Sequence, residues 1–450
     1  MFRKILIANR GEIALRVIRA CREMGIRNVI AHSEADRDSL PVRMADERIC
    51  IGPAASGKSY LNIPNIISAA LITEADAIHP GYGFLSENTS FAEICADAHI
   101  IFIGPPASAM AIMGDKVEAR ATMAAIGLPM LPGTPALRAL EEAQAAAREI
   151  GYPLMLKAAA GGGGRGIRLI NRPDEFDRVF TLAQNEVREA FHDDSLYLER
   201  YLRHARHIEI QVLVDNFGHG VHLGERNCSC QRRNQKLIEE SPSPHLPEAL
   251  REEMGRKAVR AVETIGYRNA GTLEFLLDEE NHYYFMEMNT RLQVEHPVTE
   301  LVTSVDLVKE QIRIAAGLPM RLRQEDICPR GHAIECRITA EDAEAGFRPQ
   351  TGIVERYLPP GGPGVRVDSH LYAGYEIPPH YDSLLSKLVV WADTREAAIA
   401  RMQRALGEYI IEGVKTTIPF HQRLLSHESF IRGETYTRFI QDEAAALGIQ

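Results

Sequence analysis

What this 450-residue chain lacks narrows its possible roles first. No CxxC pair occurs, and the seven cysteines (Cys21, Cys50, Cys95, Cys228, Cys230, Cys328 and Cys336) are odd in number and scattered. That leaves no disulfide or zinc framework and fits a reducing compartment. Cys228 and Cys230, the one close pair, read as small buried hydrophobes rather than a reactive thiol site. No apolar run approaches the ~18 residues of a membrane span. Met1–Ala8 is too short an apolar start for a signal peptide. Basic charge is not in excess: 51 Lys and Arg against 61 Asp and Glu give a net charge of −10. A general nucleic-acid binder needs a basic surface, so any phosphate bound here must find its cations locally. The composition itself is ordinary, 45% hydrophobic and 25% charged. The length suits roughly two to four domains.

Residues 1–105 alternate strand and helix. Lys4–Ala8, Val29–His32, Arg48–Ile51, Ala75–Ile78 and Ile100–Ile103 read as strands. Ile13, Val17, Ala20 and Met24 recur at helical spacing, Gly25 offers a stop, and helices fall near 63–72 and 90–98. This alternation implies a parallel sheet with helices on its faces. Asn9-Arg10-Gly11-Glu12 and His79-Pro80-Gly81-Tyr82-Gly83-Phe84 follow strands, where such folds bind ligands; plain turns explain them equally well. Residues 106–126 read as one helix carrying Lys116, and 136–149 as an Ala-rich packing helix. From 151 strands and hairpins dominate, with helices at 248–265 and about 304–316. The last part, 331–446, opens with strands His332–Ile338, Gly352–Tyr357 and Ser383–Trp391. It closes with helices near 394–411 and 417–426.

Two glycine patterns invite a nucleotide reading. Gly52 to Ser59 satisfies the P-loop pattern GxxxxGK[ST], but Asn62-Ile63-Pro64 follows where a long helix should open. No strand-terminal Asp follows to hold Mg2+ in the P-loop manner. Gly161 to Gly166 satisfies GxGxxG, yet Ile167–Ile170 reads as a strand where the dinucleotide fold needs a helix. The context is a hairpin, with Tyr152–Lys157 entering and Ile167–Ile170 leaving. Such a flap can fold over a triphosphate, because no Cβ keeps its backbone N–H groups away. Lys157 ends the incoming strand and can reach a phosphate.

The stretch Phe285–Pro297 alternates: Glu287, Asn289, Arg291, Gln293 and Glu295 share one parity, Met286, Met288 and Leu292 the other. If it stays extended, one face carries a polar row. Upstream, Gly271–Leu277 reads as its partner strand. A four-residue turn at 279–282 would pair Asp278 with Tyr283, hence Glu274 with Glu287 and Thr272 with Asn289. Opposed side chains sit ~4.5–5.5 Å apart, where two carboxylates repel by roughly 3–4 kcal/mol at a dielectric of about 20. A divalent cation removes that penalty, and these oxygens suit Mg2+. An exposed hairpin with unrelated acids is the alternative.

Together these features resemble the ATP-grasp enzymes and, among them, the biotin carboxylases. The likeness covers almost the whole chain. It runs through Lys4–Glu12, His79–Asn88, Met113–Lys116, Lys157 with the glycine flap, Gln231–Lys236, Glu287–Glu300, Gly331–Arg337 and Tyr381–Ser383. The run Arg291-Leu-Gln-Val-Glu-His-Pro-Val-Thr-Glu300 is its most particular part.

The resemblance implies an α/β and α+β multidomain fold. It has a Rossmann-like N-terminal domain at 1–114, an ATP-grasp centre at 115–330 with a mobile glycine-rich lid at about 131–203, and an α+β C-terminal domain at 331–446. It implies ATP-dependent carboxylation of biotin by bicarbonate through carboxyphosphate, the first half-reaction of acetyl-CoA carboxylase. Lys116, Lys157, Gly163 and Gly164 would meet ATP phosphates; Glu199, Arg200, Tyr201 and Leu202 would hold adenine; His207, Gln231 and Asn234 would line the nucleotide. Glu274, Glu287 and Asn289 would hold Mg2+, as two ions, with Mn2+ as a substitute. Lys236, Arg291, Gln293 and the Val294 amide would hold bicarbonate, Glu295 would be the base, and Arg337 would face biotin. Asn234 stands where some relatives have His, so no proton role is expected there.

Implied partners are a biotin carboxyl carrier protein and carboxyltransferase subunits, around a cytoplasmic homodimer with no membrane or nucleic-acid partner. No Met-Lys dipeptide occurs and no lysine follows Lys415, so the biotinylated carrier is expected on another polypeptide. Alternatives are a subunit of another acyl-CoA or pyruvate carboxylase, a ligase of the carbamoyl-phosphate type, and a nucleotide sensor on a dead ATP-grasp fold. The sensor predicts lost acids or a lost lysine, and all are present.

Overall fold

The computed structural model describes residues 1–159, 167–191 and 194–449. Its first sheet is parallel and built from β1 (Lys4–Ile7), β2 (Arg27–Ser33), β3 (Glu47–Gly52), β4 (Ala77–His79) and β5 (Ile101–Phe102), in the order β3-β2-β1-β4-β5. Its central strands, β2, β1 and β4, are buried on both faces, as parallel strands require. Ile5 and Ile7 pack on Ile13 and Val17 of helix Gly11–Glu23. Leu6 points the other way, into a cluster with Ile66 and Phe91.

A small antiparallel sheet follows, with β6 (Leu154–Ala158) between β7 (Arg168–Ile170) and β8 (Leu196–Arg200). Leu154 pairs with Ile170 and Leu156 with Arg168, so the glycine run joins two strands as expected. Helices Leu140–Ile150 and Phe176–Phe191 accompany this sheet, and Ala143, Leu154, Leu156 and Phe180 share its separate core. Gly163 and Gly164 lie outside the described residues.

The largest sheet has eight antiparallel strands. They include β9 (Arg206–Val214), β10 (Gly220–Arg232), β11 (Gln235–Ser241), β12 (Asn269–Leu277), β13 (Tyr283–Asn289) and β14 (His332–Thr339). The order is β13-β12-β9-β10-β11-β14, continued by strands Leu384–Ala392 and Val365–Ser369. β14 bonds to β11, so the middle and last thirds of the chain share one sheet.

Some elements differ from the sequence reading. Residues 106–126 form two helices, Ala107–Gly114 and Lys116–Ile126. Asp115 breaks the run because its carboxylate accepts the Val117 and Glu118 amides, both at 2.9 Å, as a new N-cap. Gly352–Tyr357 splits into Gly352–Ile353 and Arg356–Leu358, and Ile410–Glu412 is a strand rather than a helix end. The P-loop lookalike holds only a short 3-10 turn, Ser56–Lys58. Asn62 then caps helix Ile63–Ile72, accepting the Asn65 amide at 3.0 Å.

Candidate active site

The β12–β13 hairpin opposes Glu274 to Glu287 and Thr272 to Asn289. The turn, however, pairs Leu277 rather than Asp278 with Tyr283, and Met286 is an extra residue that shifts the register back before Glu287. Asp278 belongs to the turn itself. Its carboxylate accepts the Glu280 amide at 3.0 Å and the His282 amide at 2.8 Å, an Asx-type closure.

Register carries the row of acids further. Glu274 opposes Glu209 on β9, and Glu209 opposes Arg226 on β10. Three carboxylates therefore lie side by side across three strands and end on a guanidinium. Arg226 is fully buried, bonds Glu209, and donates to Gln211 and Thr299 at 2.8 Å each. Lys236, from β11, reaches over the row. Its Nζ lies 2.6 Å from Glu209, 2.8 Å from Glu274 and 2.6 Å from Glu295. Burial would depress the Lys236 ammonium, but these three carboxylates hold it well above the ordinary lysine value. Glu274 is correspondingly held low: burial raises it, and Lys236 and His207 outweigh that. Its carboxylate also accepts Asn289 at 2.9 Å and Gln293 at 3.2 Å, with the His207 ring at 3.2 Å.

Glu287 differs. Burial and its neighbour Glu274 push its carboxyl up, and Lys116 and Lys157 pull it back only partly. Its side chain takes no hydrogen bond from any described residue. An under-compensated oxygen beside Glu274 and Asn289 is a set of hard ligands that fits a divalent cation.

The polar parity beyond Asn289 is not a strand face. β13 ends there, residues 290–295 form an irregular turn, and Glu295 is the N-cap of helix His296–Thr303. Pro297 explains the change. It cannot serve a strand ladder, but it fits the first turn of a helix. Arg291 and Glu295 thus face the site from a loop and a helix start. Arg291 Nη1 donates to Gln293 at 3.0 Å and Nη2 to Asn289 at 3.0 Å, while Nε pairs with Glu87 at 2.9 Å. Glu295 is fully buried and clamped: Lys236 holds one oxygen and Arg337 the other, at 2.9 Å. Burial would raise Glu295, yet Lys236, Arg337 and Arg226 hold it well below the usual carboxylate range. The Val294 carbonyl accepts Lys387 Nζ at 2.9 Å.

At the small sheet, Glu199 bonds both Lys157 and Arg120. Burial raises this carboxyl, but Lys157, Arg120 and Lys116 bring it below the ordinary value. Lys116 opens its helix within electrostatic reach of both Glu199 and Glu287. Arg200 ends β8, and the Tyr201 amide donates to Pro153 at 3.1 Å on the way, past Leu202, to β9. Gln231 opposes Lys236, and Asn234 sits in the two-residue turn between β10 and β11 with φ 64°. Asn tolerates that left-handed geometry, which gives its presence there a local cause.

Several groups in or beside the site were not singled out from sequence: Glu209, Arg226 and Lys387 within it, Glu87 on Arg291, and Glu239 and Glu335 behind Arg337. A signal existed for some. His207, Glu209 and Gln211 alternate with Ile208, Ile210 and Val212 on β9, and Glu335 and Arg337 alternate with Ile334, Cys336 and Ile338 on β14. Period two was visible, but not that the polar side is buried. The N-terminal loops join this network. The Asn9 amide donates to Pro80 at 2.6 Å and Tyr82 at 2.8 Å, and a Cβ at Gly81, which has φ +63°, would lie 2.9 Å from that amide. Tyr82 bonds Glu12, which lies 3.2 Å from Lys387.

Three family models match: the biotin carboxylase N-terminal domain over residues 1–110, the carbamoyl-phosphate synthase L chain ATP-binding domain over 115–323, and the biotin carboxylase C-terminal domain over 335–442. A biotin carboxylase of Nostoc sp. is 59% identical, the match spanning 98% of this chain and 99% of that one. A Campylobacter jejuni biotin carboxylase complex with β,γ-ATP superposes with TM-score 0.96 at 50% identity, covering 98% of this chain and 99% of the other. The biotin carboxylase domain dimer of Hydrogenobacter thermophilus 2-oxoglutarate carboxylase, solved with MgADP, ADP and bicarbonate, gives TM-score 0.95 at 50% identity, covering 99% of each.

Proposed function

The chain belongs to the biotin carboxylase family, and from that premise we propose how its site carboxylates biotin with ATP and bicarbonate. The carrying observation is Glu295, fully buried and gripped by Lys236 on one oxygen and Arg337 on the other. A carboxylate so stabilised is a poor base. Bicarbonate entering beside Lys236 and Arg291 would draw the ammonium away from Glu295 and restore its basicity. Arg291 offers a planar fork that matches bicarbonate in a way a lysine could not, helped by Gln293 and the Val294 amide. Glu295 then takes the bicarbonate proton. A bicarbonate oxygen bonds to the γ-phosphorus as ADP leaves, giving carboxyphosphate, which collapses to CO2 and phosphate. Phosphate, or Glu295 once it has passed its first proton to that phosphate, removes the biotin N1 proton, and N1 attacks CO2. Arg337 stabilises the negative oxygen that develops on the ureido ring only at that step.

Glu274, Glu287 and Asn289 would hold Mg2+, two ions with Mn2+ as a substitute. When bound, the metal neutralises phosphate charge. Lys116 and Lys157, with Gly163 and Gly164, would meet the phosphates. For Lys157 that means leaving Glu199. Glu199 to Leu202 would hold adenine, and His207, Gln231 and Asn234 would line the nucleotide. The N-terminal, ATP-grasp and C-terminal units would divide at 114 and 330, with 131–203 as the lid that keeps water from carboxyphosphate.

We infer acetyl-CoA carboxylase as the holoenzyme, feeding fatty acid synthesis. This chain would be a cytoplasmic homodimer working with a carrier protein and carboxyltransferase subunits. The Nostoc relative, matched over 98% of this chain, is itself a biotin carboxylase, which supports the biotin half-reaction. Likeness to the 2-oxoglutarate carboxylase domain favours a second reading, with a keto acid as final acceptor. Biotin- and bicarbonate-dependent ADP release tests the core reaction. Stimulation by ammonia instead of biotin would move the chain to carbamoyl-phosphate chemistry, and MgATP binding without turnover would make it a sensor.

A further inference from the structure

Two buried carboxyl groups in the large sheet have no part in this chemistry. Glu239 on β11 and Glu335 on β14 oppose each other directly, and neither has exposed surface. Side chains so placed have Cβ atoms about 4.5–5.5 Å apart. One Glu239 oxygen accepts Arg337 Nε at 2.6 Å. Its other oxygen, and both oxygens of Glu335, have no hydrogen-bond partner. Nearby, Ala333 and Val389 pack against Val298 and Val302 of helix His296–Thr303, an apolar patch beside the pair.

The charged and titratable groups facing the pair are few. Arg337, Lys387, Lys236 and Glu295 act on it, with Tyr82 and the Cys228 thiol; the thiols of Cys230 and Cys336 lie across the sheet in the core with Ile238 and Leu388. The cations are already engaged. Arg337 serves Glu239 and Glu295, Lys387 serves Glu12 and the Val294 carbonyl, and Lys236 serves the acid row. Among the described residues none bonds Glu335. Two carboxylates side by side in such a place, one held by a single arginine and the other by none of the described residues, cannot both stay ionised. Burial, with Glu295 and Glu239 adding repulsion, lifts Glu335 well above the ordinary value, and burial lifts Glu239 to about 7 against the pull of Arg337.

We propose that Glu335 holds a proton, donates it in a hydrogen bond to the free oxygen of Glu239, and through this acid–carboxylate pair positions Arg337 against Glu295. Both are positioning residues: neither touches substrate. Their role rests on the biotin carboxylase reading above. With its proton in place, Glu335 leaves the Arg337 guanidinium to Glu239, Glu295 and the ureido oxygen. Loss of the proton puts a second anion beside Glu295 and pulls Arg337 off its aim. The effect has one sign: a proton held by a raised folded value is lost as pH rises through that value, and the arrangement fails there.

Infrared spectroscopy of the full chain without ATP or biotin tests the proton itself. A protonated-carboxyl band is expected in the native protein and absent in Glu335→Gln. No such band, or a band unchanged in Glu335→Gln, overturns the proposal. Kinetics test the positioning. Glu335→Gln, a neutral isostere, is expected to fold and to move the alkaline decline of kcat/KM for biotin to higher pH. Glu239→Gln is expected to raise the KM for biotin by about tenfold, the scale of a lost hydrogen bond to a charged group, while bicarbonate-dependent ATP hydrolysis without biotin persists. Equal losses in the two variants, an unmoved alkaline limb, or a Glu335→Gln chain that does not fold also overturn it. If the biotin carboxylase reading itself failed, biotin turnover would be absent in every variant while the infrared band remained.

Discussion

The two large sheets of this molecule both bury their central strands and use them differently. In the parallel sheet, β1 is apolar throughout its last three residues, and polar side chains gather in the loops after β1 and β4. In the eight-stranded sheet, ionisable side chains lie inside the strands: Glu209, Arg226, Glu239, Glu274 and Glu335 are all buried mid-strand. Burying ions costs several kcal/mol each unless they are paired; register sets Arg226 against Glu209, while Lys236 and Arg337 reach across to Glu274 and Glu239. One sheet is a frame that holds loops. The other is itself the site, and its stability and its chemistry share the same side chains.

The contrast is broken most severely by Glu295→Gln. Carboxylation is expected to fall roughly 10²- to 10⁴-fold, the range for a lost general base, with the fold retained by circular dichroism. A loss under about tenfold would remove Glu295 from the chemistry. Arg337→Ala is expected to slow biotin carboxylation by about 100-fold or more while sparing biotin-independent ATP hydrolysis. Equal loss in both assays would deny its specificity for the biotin step. Glu287→Gln should raise the Mg2+ needed for half-maximal rate by about 10- to 100-fold, and an unchanged Mg2+ titration would contradict its place among the ligands. The smallest effect belongs to the frame. Ile5→Val should cost about 0.5–1.5 kcal/mol in a denaturant titration and leave kcat and KM alone. A change in KM would show that the frame is not separate from the site.

The parallel sheet was legible because its strands are short apolar runs separated by helical spacing. The Glu274–Glu287 pairing was legible for a less direct reason. The expected turn was one residue short, since Asp278 caps the turn rather than joining the ladder, and the bulge at Met286 restored the register. Glu295 was placed on the right side by a wrong route, as a strand residue when it is a helix cap. The Glu239–Glu335 pair was invisible because β11 and β14 lie far apart in sequence, and only their pairing makes neighbours of two unrelated acids. Local periodicity reports which way a side chain points. It does not report what the next strand places against it.

The proposed reaction begins with bicarbonate attacking the γ-phosphate of ATP inside the charged sheet. Bicarbonate labelled with heavy oxygen, turned over with MgATP and biotin, measures this directly. One labelled oxygen is predicted in each phosphate released. Phosphate that carries only oxygen from ATP and water would contradict it.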